Sequence, residues 1–479
     1  MTRLVLRQDG MPTAIELPFR AGEAALERER NFAMPVPHVA CRQLAAAWLW
    51  LSVSALVGAG VFALLVVLAR TPYVSNLFPT VEFFRSALVV HVDMSVLFWF
   101  FAFAGVLWSA TSTPRRIRMG WAGLLLSVGG VLLVVISPFV SGGGPLMNNY
   151  VPVLQNPVFL TGLCLFGCGV GLAALRVLAI VPSFGMGAHE VPPALAFAAW
   201  ASAAATAMAL IAFVWAYLTI PYFVHGLSYF EALFWGGGHV MQFTYTLMML
   251  AGWLWLATEC GAQVRLSQRV TVALLALGLA PVSFTPAIYL AYPTNTYDNM
   301  EMFTRMMGIG GSLAALPIGL AVTLAIWRRG SPAADTRPLF GSLLCSLLLF
   351  ALGGGISLLI RDSNTIITAH YHATGGAVSV ALMGMLYALL PRLGFSRADL
   401  RLSSWQPYVY GTGQLLHIIG LLWSGGYGVQ RKVAGADQGL HGFAQIAGMG
   451  LMGLGGLIAV VGGLMFLWLA YRSMSLGRR

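Results

Sequence analysis

ITAHYHATGGAVSVALMGMLYALLPRLG, residues 367–394, is the stretch on which the fold turns. It is apolar for longer than the roughly 20 residues a helix needs to cross a bilayer, yet it opens on two histidines, His370 and His372. A helix turns about 100° per residue, so these side chains point about 200° apart and cannot ligate the same small ion. They can serve two centres. A helix wedged between two flat cofactors needs this spacing, with one imidazole reaching each iron.

The rest of the chain has the same character. Of 479 residues, 58% are hydrophobic and 9% charged, against about 25% charged in an ordinary globular chain, which excludes a soluble enzyme. Apolar runs fall near 44–70, 83–110, 119–140, 157–180, 194–219, 228–258, 270–291, 302–327, 338–361, 366–391, 407–425 and 441–472. Continuous runs, rather than weakly alternating segments of about ten residues, exclude a membrane barrel. The predicted fold class is all-α, a polytopic membrane protein of twelve transmembrane helices surrounded by lipid. Residues 1–42 mix Arg, Glu and Pro without the apolar core of a secretory signal, and read as a polar cytoplasmic arm before one membrane domain, 43–479.

The formal charge is +11, but Lys432 is the only lysine, and the arginines sit in short loops rather than in a nucleic-acid patch. Arg115, Arg116 and Arg118 follow span two, Arg265 and Arg269 span six, Arg328, Arg329 and Arg337 span eight, and Arg392, Arg397 and Arg401 span ten. All fall on one side, so the positive-inside rule places both termini in the cytoplasm of a bacterial inner membrane. Arg361 beside Asp362 and Arg431 beside Lys432 break that rule and ask for an anionic partner. Cys41, Cys164, Cys168, Cys260 and Cys345 are scattered without companions and read as small apolar residues, neither disulfide framework nor zinc site.

Histidines inside apolar spans are costly unless paired or ligating. His91 lies in span two, within ALVVHVDMSVLFWFFAFAG, and His239 in span six, within LFWGGGHVMQFTYT. Spans two, six and ten run in the same direction, and each carries its histidines soon after it begins, so four costly side chains share one outer slab. His417 and His225 read as structural or interfacial. Asp93 reads either as a proton relay or as a partner for Arg85.

This pattern resembles the catalytic subunit of the haem-copper oxidase superfamily, over nearly the whole chain and most specifically in AHYH and GMLYALLPRLG. The resemblance implies that His91 and His372 are axial ligands of a low-spin haem, His370 the proximal ligand of a high-spin haem, both haems of b type, and that His239 holds a non-haem metal. It also implies that Arg431 and Lys432, in GGYGVQRK, neutralise haem propionates, where charge-assisted hydrogen bonds suit a carboxylate.

Relatives that reduce oxygen place two further histidines in span seven to complete a copper site; here that region reads PVSFTPAIYLAYPTNTYDNMEMFTRMMG, with none. It carries Tyr289, Tyr297, Asp298 and Glu301 instead, and oxygen donors beside one imidazole favour iron over copper. Asp298 and Glu301 could equally cap the start of span eight. Glu231 and Gln242 are further candidates near His239, and Phe243, Tyr245 and Tyr289 bear on whether a tyrosine can supply an electron. The expectation is a branch of the superfamily that resembles nitric oxide reductases, with His239, Glu301, Asp298 and Tyr289 at the catalytic metal and electrons arriving from a periplasmic cytochrome c or a cupredoxin partner. The alternative is an oxygen-reducing oxidase with an unusual distal site. A haem-bearing electron-transfer subunit or a transporter-like protein stands third.

Overall fold

Hydrocarbon offers no water to a backbone N–H or C=O, so an apolar run must satisfy both within a helix. The computed structural model describes residues 32–73, 81–140, 143–180, 191–433 and 435–476. Along these the helices are α1 (Val39–Arg70), α2 (Val81–Val92), α3 (Trp99–Ala110), α4 (Ile117–Val140), α5 (Pro157–Leu178), α6 (Pro193–Thr219), α7 (Gly226–Glu259), α8 (Gln268–Leu279), α9 (Thr285–Ala291), α10 (Tyr297–Arg329), α11 (Arg337–Ser357), α12 (Thr365–Arg392), α13 (Leu400–Gly426) and α14 (Phe443–Ser475). Helices α2 and α3 form one span through a π-helical segment, Asp93–Phe98, and α8 and α9 another through the 3-10 segment Ala280–Phe284, which contains Pro281. Twelve spans result, as the sequence predicts.

Eleven of these, among the described residues, are long and apolar enough to cross a membrane alone. The exception is α13, whose 27 residues include Gln406, Gln414 and His417. Its support is α14. Small residues let membrane helices approach until their backbones touch, and an added Cβ at Gly420 would strike the Met452 backbone, one at Gly455 the backbone nitrogen of His417.

The histidine-bearing end of the bundle is fixed by α12. Asn364 caps it, its side chain accepting from Ile366 N at 2.9 Å. Thr365 N donates to Val429 O at 3.0 Å and Thr365 Oγ1 to Leu421 O at 2.8 Å, tying the start of α12 to the end of α13. At the arginine-rich end Arg392 Nη2 donates to Glu259 Oε1 at 2.7 Å and its guanidinium lies 5.4 Å from the Trp255 ring, which locks α12 to α7. Phe32, Met34 and Val36 are buried at that end, with Phe32 N donating to Thr258 Oγ1. Residues 1–31, most of the predicted arm, lie outside the described residues, as does His189.

A short hairpin, β1 (Pro145–Leu146) and β2 (Val153–Leu154), antiparallel with Pro145 opposite Leu154, joins α4 to α5 on the histidine side.

Gly455→Val will force α13 from α14 and lower thermal stability in detergent by about 1–3 kcal/mol, the usual cost of overpacking. Gly463→Ala, where an added Cβ meets nothing within 4 Å, will be neutral or stabilising by up to about 1 kcal/mol through helix propensity.

Candidate functional site

An imidazole buried among apolar helices must place its N–H on an acceptor, and a carbonyl oxygen can only accept. His91 Nδ1 donates to Ala59 O at 3.0 Å, His370 Nδ1 to Gly353 O at 2.9 Å, His239 Nδ1 to Trp235 O at 2.8 Å and His417 Nδ1 to Met452 O at 2.9 Å. In each ring the tautomer is thereby fixed, with the lone pair on Nε2. This is how ligating histidines are oriented by their surroundings.

Two clusters result. His372 packs against His417, ring centroids 4.4 Å apart, and shares its surroundings with His91, Arg70 and Gln414. His417 therefore joins a site from which sequence reasoning left it out; its signal was depth, since it stands nine residues before the end of α13 as His91 stands ten after the start of α2. Arg70 is 7% exposed, and its Nη2 donates to Gln430 O.

The second cluster gathers on His239 and reaches the residue after His370. Next to His370, Tyr371 reaches Tyr150 from the β1–β2 hairpin, and Tyr150 also meets Gln242. The Tyr150 hydroxyl lies 2.8 Å from His239 Nε2, so it donates to that lone pair. Sequence reasoning missed Tyr150, which sits in a loop far from any histidine motif. The three glycines before His239 give the reason they are there: an added Cβ at Gly236 would meet Tyr289 and Phe303, at Gly237 the Phe213 ring, and at Gly238 the Tyr150 ring.

Asn148 holds the turn that presents Tyr150, its Oδ1 accepting from Tyr150 N at 3.1 Å and Val151 N at 2.9 Å. Arg431 donates to Asn149 Oδ1. Lys432 Nζ donates to Met147 O, to Asn148 O at 3.2 Å and to Asn149 Oδ1 at 3.1 Å. Asn149 Nδ2 in turn donates to Glu231 Oε2 at 3.0 Å. The basic pair thus clamps the hairpin over the site. Burial first, then the adjacent Arg431, lowers the Lys432 pKa from 10.5 to about 8, with Glu231 acting the other way.

The oxygen donors expected beside His239 are bonded to other groups or face outward. Glu301 accepts from Arg305 Nε at 2.8 Å one turn along α10, Asp298 is exposed in its first turn, and the Tyr289 hydroxyl donates to Ala212 O at 3.3 Å while its ring stacks on Trp215. Helix α10 begins at Tyr297, where Thr296 Oγ1 caps Asn299 N. Both carboxylates thereby become part of a helix start. Among the described residues no group of three or more His, Cys, Asp or Glu could hold a metal ion. Asp93, in the π segment, is 1% exposed with neither carboxylate oxygen hydrogen-bonded, and the nearby Tyr245 hydroxyl is also unpartnered. Arg85 supplies it no ion pair.

The donor set fits planar iron cofactors: His91 and His370 keep Nε2 available, and they and His372 are enclosed by the bundle without being fully covered by protein. It does not fit a third metal as it stands, because the His239 Nε2 lone pair is taken by Tyr150 and no group of three His, Cys, Asp or Glu stands ready among the described residues. Fold and donors together define a polytopic membrane protein whose histidines could hold haem.

The family model for Cytochrome C and Quinol oxidase polypeptide I matches residues 43–465, and the chain belongs to that family. It is a membrane oxidoreductase of the haem-copper oxidase type, a family that binds haems and generally a non-haem metal and works with electron donors and other subunits. An uncharacterized protein of Rickettsia prowazekii (strain Madrid E) is 28% identical over 502 residues, covering 90% of this chain and 96% of its own. One of Aquifex aeolicus (strain VF5) is 30% identical over 351 residues, covering 73% and 85%. Among solved structures, a haem-copper terminal oxidase dimer determined by cryo-EM superposes with a TM-score of 0.74 at 16% identity, covering 92% of this chain and 85% of that one. This last likeness speaks for the fold alone.

A lysine whose folded pKa is depressed binds its proton more tightly in the unfolded chain, so stability rises with pH between the folded and unfolded values. Between pH 7.5 and 9.5 the thermal midpoint of the wild type will therefore gain on that of Lys432→Met. A difference that stays constant across the window would show that Lys432 ionises as it does in water.

Proposed function

We propose that the chain is a respiratory haem enzyme that reduces nitric oxide, 2 NO + 2 e⁻ + 2 H⁺ → N₂O + H₂O, with electrons from a periplasmic cytochrome c or cupredoxin partner. His91 and His372 would hold a low-spin haem and His370 a high-spin one; these groups supply electron relay and a site for a diatomic gas. The observation that carries the reading is the arrangement around α12: His370 and His372 on opposed faces, with the proximal ring held by Gly353 O and its lone pair free.

The chain's own part is positional. Ala59 O and Gly353 O hold two rings at fixed angles. Arg431 and Lys432 bring positive charge to the rim where propionates would lie, in addition to clamping the hairpin. Tyr150 donates to His239, with Gln242 bonded to Tyr150 in turn. Nitric oxide is favoured over oxygen because its reduction takes two electrons rather than four and calls for no three-imidazole copper site. Oxygen reduction is the second reading, favoured by one contact: the Tyr150 phenol against His239 is a group from which an additional electron could be drawn. The arginine distribution supports a bacterial inner-membrane location with both termini cytoplasmic and the haems near the periplasmic face, the polar arm of residues 1–42 lying on the inner side.

Oxygen and nitric oxide electrodes, applied to the purified enzyme with a reduced one-electron donor, decide between the readings. Consumption of nitric oxide with production of nitrous oxide is expected, and rapid oxygen uptake alone would transfer the assignment to the oxidases. In absorption spectra His372→Ala will lose the low-spin haem while His370→Ala keeps it. His417→Ala will retain the low-spin spectrum with a shifted potential, and loss of that haem in His417→Ala but not in His372→Ala would reassign the axial ligand.

A further inference from the structure

Members of this family generally bind a non-haem metal as well as haems. The metal would need the His239 lone pair. That ring has one N–H and one lone pair: Nδ1–H is spent on Trp235 O, and Nε2 accepts the Tyr150 proton at 2.8 Å. Glu301 is held by Arg305, Asp298 is exposed, Glu231 accepts from Asn149, Tyr289 donates to Ala212 O, and no group of three or more His, Cys, Asp or Glu exists among the described residues.

Tyr150 has not merely drifted into a gap. Its ring centroid lies 4.7 Å from that of His239 and 5.7 Å, edge-on, from that of Trp235. Gly238 is bare where any Cβ would strike this ring. The turn that carries it is held from within by Asn148 and from outside by Lys432. Four separate features of the sequence therefore converge on one side-chain position.

We infer that this chain works without a third metal: the Tyr150 hydroxyl, whose single proton is held by His239 Nε2 with Gln242 beside it, occupies the place at His239 that such a metal would need. Tyr371, adjacent to His370 and in contact with Tyr150, connects the two halves of the site.

The inference rests on the two-haem reading above, and the experiment separates their failures. Pyridine haemochrome and elemental analysis are made on the enzyme purified without chelators. Absence of haem overturns the two-haem reading and this inference with it. With two haems per chain, total iron equal to haem iron and no stoichiometric copper is expected, whereas one additional iron or copper per chain overturns the inference alone. The carbon monoxide adduct is then examined by resonance Raman with and without added ferrous or cuprous ions. The iron–carbon stretch is expected to ignore the added ions. A stretch that moves with them overturns the inference.

Discussion

A polar ring inside a bilayer must dispose of its N–H, and the rest of this molecule is arranged around that requirement. Four imidazoles solve it with a backbone carbonyl, each drawn from a membrane helix. Gly353 can present its carbonyl to His370 because a Cβ at that position would meet Thr374 and Ala373, so only glycine allows α11 and α12 to lie so close. The tautomer follows from the bond, the direction of the lone pair from the tautomer, and the place of any bound iron from the lone pair.

The histidine slab is completed by parts distant in sequence. The hairpin between α4 and α5 supplies Tyr150 and the segment after α13 supplies its clamp, 282 residues from Asn149 to Arg431. Both are loops. The helices provide a rigid frame, and Tyr150 with its clamp is grafted onto that frame by connections, as is usual for binding sites.

Much of the fold was legible in the sequence. Twelve apolar runs gave twelve spans, and the HxH spacing assigned the two faces of α12, because both rest on short-range helical geometry. The oxygen-rich stretch around Asp298 and Glu301 was legible too, but with two meanings; the helix-start reading describes where those side chains are, since Thr296 caps α10 and Arg305 takes Glu301. Tyr150 could not be read, because its approach to His239 depends on a hairpin register and on a clamp far along the chain. The one hint was the triple glycine at 236–238, whose bare Cα atoms signal that something bulky lies against them. The π segment Asp93–Phe98 left no pattern either, since its widened turn leaves the hydrophobic run unbroken.

The clamp has a consequence for biogenesis. A chain made from its N-terminus exposes the hairpin when less than a third of it has been synthesised, and Arg431 and Lys432 emerge only when nine-tenths has. Every histidine of the slab precedes that moment, as does Glu231, which takes Asn149. The hairpin is therefore without its basic clamp until translation is almost finished.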